Sequence, residues 1–416
     1  MFRGLPAGAA CSRADAMPDI RSAVAALGAG PLTEDSIARH IAPLFSRVRA
    51  AFSDHVYLAN HSLGRPLDAT DDDVREGLAG WYASMGGAWD AWSAEMAAYR
   101  DRIAQLLHAP DGGSVVPKTS AGQGLRTILN TYDGVPRVVA TRGEFDSLDV
   151  ILREYARRGR IALAFVEPTP EGSFETAAIA AAIGDRADLV VLSQVIFNTG
   201  QRLADLQGIV AMAHAAGARV LLDVYHALGV FPVDIVALDV DFAVGGAYKY
   251  LRGGPGAAFL YLHPRHLDGS LRTLDTGWFA KREPFAYLRP DPPQFGAGGD
   301  AFLESTPPVL PLYQARAGQV FTLAIGVDRL REYSLALQRR LVALLAEQGI
   351  AAAGGSEDRG AFVTVVDVRA ETWARQLQAA GVIADARGRF LRLCPDVLTR
   401  DAELVAAAQR LAGIAR

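Results

Sequence analysis

A single lysine, Lys249, lies at the end of an apolar segment that reads as a buried strand, and glycine-rich chain follows it. The segment is DFAVGGA (241–247), and the glycines belong to GGPG (253–256). A lysine that only carries charge needs no such setting. A partly desolvated lysine has a lowered pKa and can act as a nucleophilic amine. The pattern therefore favours a lysine that does covalent or acid–base chemistry.

Other polar residues follow neighbouring strand-like segments. These short segments, rich in β-branched residues, alternate with helix-like ones, which predicts a parallel sheet covered on both faces. They are RVVAT (137–141), IALAFVE (161–167), LVVLSQV (189–195), ARVLLDV (218–224) and DFAVGGA (241–247). Ligands of such sheets bind beyond the carboxyl ends of the strands. We therefore expect Ser193, Asp223 and Lys249 to meet at one edge, with His226 close by.

A motif suited to anion binding lies upstream of these strands. KTSAGQGL (118–125) places Thr119, Ser120 and Gly122 before a helix-like segment. The N–H groups of a helix N-terminus, together with hydroxyls, form a ready phosphate site. The motif is weak alone, because GQGLRT lacks the third glycine of a dinucleotide fingerprint.

Taken singly, each of these residues has an ordinary interpretation. Asp223 could cap a helix, His226 could be a core histidine, and Lys249 could extend to the surface. Together, a lysine, an aspartate on another strand and a phosphate loop are the three parts that pyridoxal phosphate needs. The lysine holds the cofactor as a Schiff base, the carboxylate keeps its ring nitrogen protonated, and the loop binds its phosphate.

The composition is that of a globular enzyme. The chain has 416 residues, of which 50% are hydrophobic and 21% charged, and its formal net charge of −4 gives no reason to expect nucleic acid or a membrane as a partner. No apolar segment approaches the ~20 residues that span a bilayer. The first twenty residues lack the apolar stretch of a signal peptide. Two cysteines, Cys11 and Cys394, exclude a disulfide framework and favour a cytoplasmic location.

The length predicts more than one domain. Proline-rich stretches near residues 292 and 307 end the strand–helix alternation, and a helix-like segment (314–349) then leads into two strand-like ones. We predict an N-terminal helical segment that packs on the small domain (1–50), a large domain (51–312) and a small α+β C-terminal domain (313–416).

Seven blocks, in order, resemble the class V aminotransferase superfamily, which has fold type I of the pyridoxal-phosphate enzymes, and within it kynureninase. They are YLANHSLGRP (57–66), VLSQVIFNTGQ (191–201), LDVYHALGVFPVDI (222–235), DFAVGGAYKYLRGGPGA (241–257), GWFAKREPFAY (277–287), STPPVL (305–310) and FLRLCP (390–395). The YKYL-GGPG and D-x-x-H blocks are specific. The resemblance implies an α/β fold, with a large domain around a mainly parallel sheet and a smaller α+β C-terminal domain.

The resemblance also implies a role for each matching residue. Lys249 would form the Schiff base and move the Cα proton, Asp223 would pair with the pyridine nitrogen, and Tyr248 would donate to the phosphate. The other cofactor-binding residues would be Thr119, Ser120, Phe145, Ser147, Ser193 and His226, with Trp278 and Thr306 contributed across the interface of a homodimer. Arg392 would clamp the α-carboxylate of an amino-acid substrate, for which a bidentate guanidinium is suited, and Asn60 would also face the substrate.

Departures from the family pattern lie mostly on the substrate side. The family's F-P-T-D is Phe145-Asp146-Ser147-Leu148 here, so its aspartate is missing unless Asp149 takes its place. The histidine of GW-x-x-H is replaced by Lys281 or absent, and the asparagine of YKYLN is Arg252. The cofactor site is therefore expected to be intact, while the substrate stays open.

Several functions follow from this pattern. The first is a kynureninase-type hydrolase that cleaves the Cβ–Cγ bond of L-kynurenine or a related aryl-acyl amino acid. The alternative is a class V aminotransferase or β-lyase acting on another amino acid. A cysteine desulfurase is disfavoured because neither Cys11 nor Cys394 lies in a loop suited to a persulfide. A non-catalytic binding module is disfavoured because Lys249 and Asp223 are both retained.

Overall fold

The computed structural model describes residues 19–416, so Cys11 and the expected absence of a signal peptide lie outside the described residues. Its helices are α1 (Ile20–Ala25), α2 (Glu34–Ser36), α3 (Ser46–Ala51), α4 (Ala69–Ser84), α5 (Ala88–Leu107), α6 (Ala121–Leu129), α7 (Asp146–Arg157), α8 (Thr176–Ile183), α9 (Leu206–Ala215), α10 (Val309–Ile325), α11 (Val327–Glu347), α12 (Ala370–Ala379) and α13 (Asp401–Ala415). Its strands are β1 (Val56–Tyr57), β2 (Val115–Lys118), β3 (Arg137–Thr141), β4 (Ala162–Val166), β5 (Leu189–Ser193), β6 (Arg219–Asp223), β7 (Phe242–Gly246), β8 (Ala258–Leu262), β9 (Val363–Val366), β10 (Val382–Ile383), β11 (Asp385–Arg387) and β12 (Phe390–Leu393).

The central sheet has seven strands in the order β2-β8-β7-β6-β5-β3-β4. The five strands from β7 to β4 run parallel, and β8 runs antiparallel to both of its neighbours. The prediction of a mainly parallel α/β sheet is therefore confirmed. Because β2 is antiparallel to β8, it points the same way as β7. This direction brings Thr119 and Ser120 to the edge where β5, β6 and β7 end.

The sheet is buried on both faces, as the continuous apolar segments predict. Val190 and Leu192 of β5 point into one apolar cluster, while Leu189 and Val191 point into another. Successive side chains of a strand point to opposite faces, so two covered faces require apolar residues at every position. The covering helices hold the strand ends in fixed positions and so fix the polar residues that follow them.

A smaller unit stands beside this sheet. Its three antiparallel strands, in the order β11-β12-β9, share an apolar cluster with α11, α12 and α13. The short β1 pairs in parallel with β10. The helix-like segment 314–349 belongs to two helices, α10 and α11, which are separated by Gly326. The φ of Gly326 is 90°, in the left-handed region that favours glycine, so the helix ends there. Helix α10 spans residue 312, and the domain boundaries at 50 and 312 stay a prediction.

The N-terminal helices pack on α10. Ile41 and Phe45 share a cluster with Phe321 of α10 and with Leu398 near the C-terminus. Across residues 19–416, no helix is both long enough and apolar enough to cross a membrane.

Candidate active site

A cavity of about 190 Å³ opens beyond the carboxyl ends of the parallel strands. Most of the cofactor-binding residues expected from the sequence line it. These are Thr119, Ser120, Phe145, Ser147, Ser193, Asp223, His226 and Tyr248. They come from five different segments of the chain, so only the folded sheet brings them together.

The amine of Lys249 lies beside residues that line this cavity. Its nitrogen is 2.6 Å from Nε2 of His226 and between 5.0 and 5.6 Å from the ring centres of Tyr225, Phe145 and Tyr248. Only 5% of the residue is exposed. Burial lowers the pKa of Lys249, although the nearby Asp223 opposes the shift. The setting therefore favours the neutral, nucleophilic amine that the sequence pattern predicted.

His226 holds that amine in place. Burial, with the charges of Lys249 and Arg392, lowers the pKa of His226 well below its ordinary value. A neutral imidazole has one donor and one acceptor nitrogen. Its Nδ1 lies 3.2 Å from the hydroxyl of Tyr250, so a proton on Nδ1 leaves Nε2 free to accept from Lys249.

Asp223 is the last residue of β6 and is 5% exposed. One carboxylate oxygen accepts from the backbone N–H of Tyr225 at 2.8 Å. Burial raises the pKa of Asp223, while that hydrogen bond and the Lys249 charge act in the opposite direction. A cationic partner in the cavity would stabilise the ionised form, because an opposite charge at close range favours a carboxylate.

The anion-binding motif forms the N-terminus of α6. The Ser120 hydroxyl caps the helix by accepting from the N–H of Gln123 at 3.1 Å, and the Thr119 hydroxyl donates to the Gln123 side chain at 3.0 Å. The first N–H groups of a helix have no intrahelical acceptor, and Ala121 and Gly122 line the cavity. This turn thus offers backbone N–H groups and the Ser120 hydroxyl to an anion, while the Thr119 hydroxyl already donates to Gln123.

Sequence reasoning missed the residues that brace this loop. Glu304 accepts from Lys118 at 2.7 Å and from the Gln123 side chain at 3.0 Å. Gln123 stands inside the recognised motif, but its partner is 181 residues away along the chain. No local signal could have found Glu304.

Of the other expected residues, Trp278, Thr306, Asn60 and Arg392 do not line the cavity. The indole N–H of Trp278 donates to the Thr306 hydroxyl at 3.1 Å, and neither residue reaches the cavity of its own chain. Their contribution to a partner's site stays a prediction. Asn60 lines a separate cavity of about 40 Å³, and its side-chain oxygen is buried without a hydrogen-bond partner among the described residues.

Arg392 is already held by a carboxylate that sequence reasoning missed. Its Nε and Nη2 donate to the two oxygens of Asp385 at 2.9 and 2.6 Å, and Nη1 donates to the carbonyl of Phe197 at 2.7 Å. Asp385 also lies 2.6 Å from Nε2 of His61 and accepts from Ser62 at 2.6 Å. Arg392 is thus one half of a bidentate pair with Asp385 and also contacts Phe197, which lines the cavity.

The missing family aspartate is not replaced by Asp149. Leu148 is fully buried in the apolar core, and Asp149 forms an ion pair with Arg153 on α7. A different carboxyl group, Glu144, is buried in the loop that precedes α7 and accepts hydrogen bonds from Thr141 and Ser193. No motif or spacing singled out Glu144 before the structure was known.

Cys394 gives no support to persulfide chemistry. It is fully buried beside β12, and burial raises the pKa of its thiol. A persulfide-forming cysteine needs access to the substrate and thiolate character.

The cavity fits pyridoxal 5'-phosphate. It offers a buried amine for covalent attachment, a buried carboxylate for the ring nitrogen, an aromatic ring at Phe145, and a helix N-terminus for the phosphate. A Cβ at Gly122 would come within 2.8 Å of Ile151, so the glycine keeps the phosphate loop close to the covering helix.

Comparison with known proteins agrees with this reading of the cavity. The sequence profile of the family "Aminotransferase class-V" matches residues 73–389. A kynureninase of Deinococcus radiodurans is 37% identical over 221 residues, which cover 51% of this chain and 52% of the relative; this match therefore spans about half of its length. The uncharacterized aminotransferase YcbU of Bacillus subtilis is 25% identical over 381 residues, which cover 90% of this chain and 98% of the relative.

A solved structure shares the fold. A lysine variant of the C-DES protein, with glycine covalently linked to its PLP cofactor, superposes with a TM-score of 0.77 at 18% identity, covering 88% of this chain and 98% of that one. With the family match over most of the chain and the cavity described above, the protein belongs to the class V aminotransferases, has fold type I, and uses pyridoxal 5'-phosphate.

Proposed function

We propose that the protein is a hydrolase of the kynureninase type, which cleaves the Cβ–Cγ bond of L-kynurenine or a related aryl-acyl amino acid. The reaction adds one water across that bond: the aryl-acyl carbon gains a hydroxyl and becomes a carboxylic acid, and Cβ gains a hydrogen and becomes the methyl group of alanine. The observation that carries the proposal is the buried cluster of Asp223, His226 and Lys249. Its residues come from the blocks that most specifically resemble kynureninase, and the Deinococcus kynureninase supports it.

The residues of this chain have separate tasks in that reaction. The bound cofactor supplies an electron sink for the electrons of the bonds that break. Lys249 holds the cofactor, and its nitrogen takes the proton from the substrate Cα, since burial lowers the pKa of this amine to about 7 and makes its neutral form available near neutral pH. Asp223 keeps a proton on the ring nitrogen, since a buried carboxylate beside a cation strongly favours the charged pair. His226 accepts from Lys249 and keeps its amine directed at the cavity.

Arg392 is the proposed anchor for the substrate carboxylate. Its guanidinium is already neutralised by Asp385, so the incoming carboxylate must share Arg392 with Asp385 or replace it. His61 and Ser62 give Asp385 two other partners that remain if Arg392 turns to the substrate.

An aminotransferase or β-lyase acting on another amino acid is the second candidate. The altered substrate-side motifs favour a substrate other than kynurenine. The aminotransferase-named relative, which matches 90% of the chain, supports it as well.

One experiment separates the two. The purified holoprotein is mixed with L-kynurenine or its 3-hydroxy form without any keto acid, and fluorescent anthranilate and alanine are measured over many enzyme equivalents. Sustained release of both products supports the hydrolase. A single stoichiometric burst, revived only by pyruvate or 2-oxoglutarate, supports the aminotransferase. No reaction with either compound refutes kynurenine as the substrate and leaves the cofactor assignment untouched.

We also propose that the protein works as a homodimer in the cytoplasm. Trp278 and Thr306 would complete the phosphate side of the partner's site, because their mutual hydrogen bond holds them together outside their own cavity. Near them, Phe285, Tyr287 and Leu288 are between 45% and 69% exposed, which suits a surface that a second copy covers.

A further inference from the structure

Glu144 is a buried carboxyl group that none of the roles above uses. It lies in the loop between β3 and α7 and is only 3% exposed. Its two oxygens accept hydrogen bonds from the Thr141 and Ser193 hydroxyls, both at 2.6 Å. The Thr141 hydroxyl in turn accepts from the N–H of Gly143 at 3.1 Å. The hydrogen bonds that start from the Thr141 side of Glu144 therefore stay within the loop.

The Ser193 side opens toward the cofactor. Ser193 lines the cavity, and in the sheet it stands directly opposite Asp223 on the neighbouring strand. Glu144, Ser193 and Asp223 therefore form a row along the edge where β3, β5 and β6 end. Glu144 does not line the cavity itself and acts on it only through Ser193.

The surroundings of Glu144 affect the pKa of its carboxyl group in opposite directions. Burial raises the pKa of Glu144 to about 7, although the hydrogen bonds from Ser193 and Thr141 oppose the shift, and the charge of Asp223 adds to it. The adjacent Arg142 provides no compensation, because its guanidinium packs over the Phe165 ring and pairs with Glu167. Both protonation states of Glu144 are thus accessible near neutral pH.

The two states present different hydrogen-bonding groups to the cavity. An ionised carboxylate only accepts, so the single O–H of Ser193 must point at Glu144 and only its lone pairs face the cofactor. A protonated Glu144 can donate its own proton to Ser193, which then has its O–H free for an oxygen in the cavity. One proton from solvent, bound at Glu144, reverses the direction of the hydrogen bond.

We propose that Glu144 is a positioning residue, whose protonation sets whether Ser193 acts as donor or acceptor toward the bound pyridoxal phosphate. It supplies a carboxyl group from the loop before α7, four residues before Leu148, which replaces the family's aspartate inside that helix. The proposal concerns the resting cofactor and holds whichever substrate the enzyme takes.

The test follows the visible absorption spectrum of the holoprotein without substrate as the pH is varied. The wild type should show a spectral transition within about one pH unit of neutrality. Glu144→Gln should lose it, because an amide does not titrate. Ser193→Ala should lose it too, because the cofactor no longer contacts the chain of hydrogen bonds. Asp149→Asn, which removes a carboxyl from the same segment, should keep it.

A second measurement needs no variant. Infrared difference spectra of the wild-type holoprotein should show a protonated carboxyl band that disappears over the same pH range as the visible transition. In Ser193→Ala the band should still titrate while the visible spectrum stays unchanged. The proposal is overturned if Glu144→Gln keeps the transition with its midpoint unmoved, or if no carboxyl band titrates with it.

Discussion

Replacing Asp223 by asparagine tests the electrostatic design of the site most directly. The substitution keeps the size of the side chain, and the amide oxygen can still accept from the Tyr225 N–H, which now lies 2.8 Å from the carboxylate. What it removes is the negative charge that faces the ring nitrogen of the cofactor. The fold and the cavity should therefore persist, while the proton on that nitrogen loses its partner.

The size of the effect follows from the burial of Asp223. Preorganised charge contacts in water-excluded sites contribute about 3–4 kcal/mol to the reaction barrier. At about 1.4 kcal/mol for each factor of ten, kcat should fall by roughly 10²- to 10³-fold. The apoprotein should respond in the opposite direction. Because burial raises the pKa of Asp223, the ionised group destabilises the empty fold above that pKa, and asparagine removes this cost.

Three measurements on Asp223→Asn and on the control Asp149→Asn check the reasoning. They are turnover of whichever substrate proves active, cofactor content by visible absorbance, and apoprotein unfolding in denaturant at pH 8. We expect a large loss of kcat, retained cofactor, and an apoprotein no less stable than the wild type. Turnover within about threefold of wild type would refute the role of Asp223, since uniform binding effects leave kcat unchanged. A loss of kcat that merely tracks unfolding would refute it equally.

Four further outcomes follow from the structure. Borohydride reduction of the holoprotein should trap the cofactor on Lys249 and on neither of the two other lysines in the sequence, and Lys249→Ala should lose both visible absorbance and turnover; a label elsewhere would disprove the assignment. Mixing Lys249→Ala with Trp278→Ala should restore about a quarter of wild-type activity, because half of randomly formed dimers carry one intact site, whereas a monomer in light scattering would exclude shared sites. Asp385→Asn should lower the unfolding free energy by about 3 kcal/mol, since it leaves the buried Arg392 charge without its partner, and denaturant titration that shows no loss would contradict this. The pKa of Glu144 is raised from 4.5 to about 7, so its contribution to the free energy of unfolding is full below pH 4.5 and is lost as the pH rises to 7. Over that range the wild-type apoprotein should lose up to about 3 kcal/mol of unfolding free energy relative to Glu144→Gln. Parallel curves of unfolding free energy against pH for the two proteins would contradict this.

The parallel part of the sheet could be predicted because each of its strands is a short, continuous apolar segment, which indicates burial on both faces. Strands β5 and β6 are apolar at every position between their end residues, a pattern that a sheet covered on both faces requires. Strands β2 and β8 were not predicted. An apolar segment does not reveal its direction, and Pro117 makes β2 a poor strand by composition, although an edge strand tolerates proline.

The candidate site likewise contains residues that could be predicted from the sequence and residues that could not. Ser193 and Asp223 each end a strand and Lys249 follows the end of β7 by three residues, so these residues were predictable, because the sheet brings strand ends together. Glu144 could not be predicted, because its link to the cavity is a hydrogen bond with Ser193, which lies 49 residues away along the chain. Asp385 is near Arg392 in sequence, but their pairing depends on the register of β11 and β12, which no spacing rule fixes.

The pairing of β1 with β10 has a consequence for how the chain is made. Val56 lies opposite Val382, so this strand pair cannot form until more than three hundred further residues have left the ribosome. Ile41 and Phe45 likewise wait for Phe321 and Leu398. During synthesis, the large sheet can assemble while the first part of the chain still exposes apolar side chains. Contacts so distant in sequence form slowly, and such exposed intermediates aggregate readily. Folding of the nascent protein should therefore end with the N-terminal helices docking onto the last-made strands and helices.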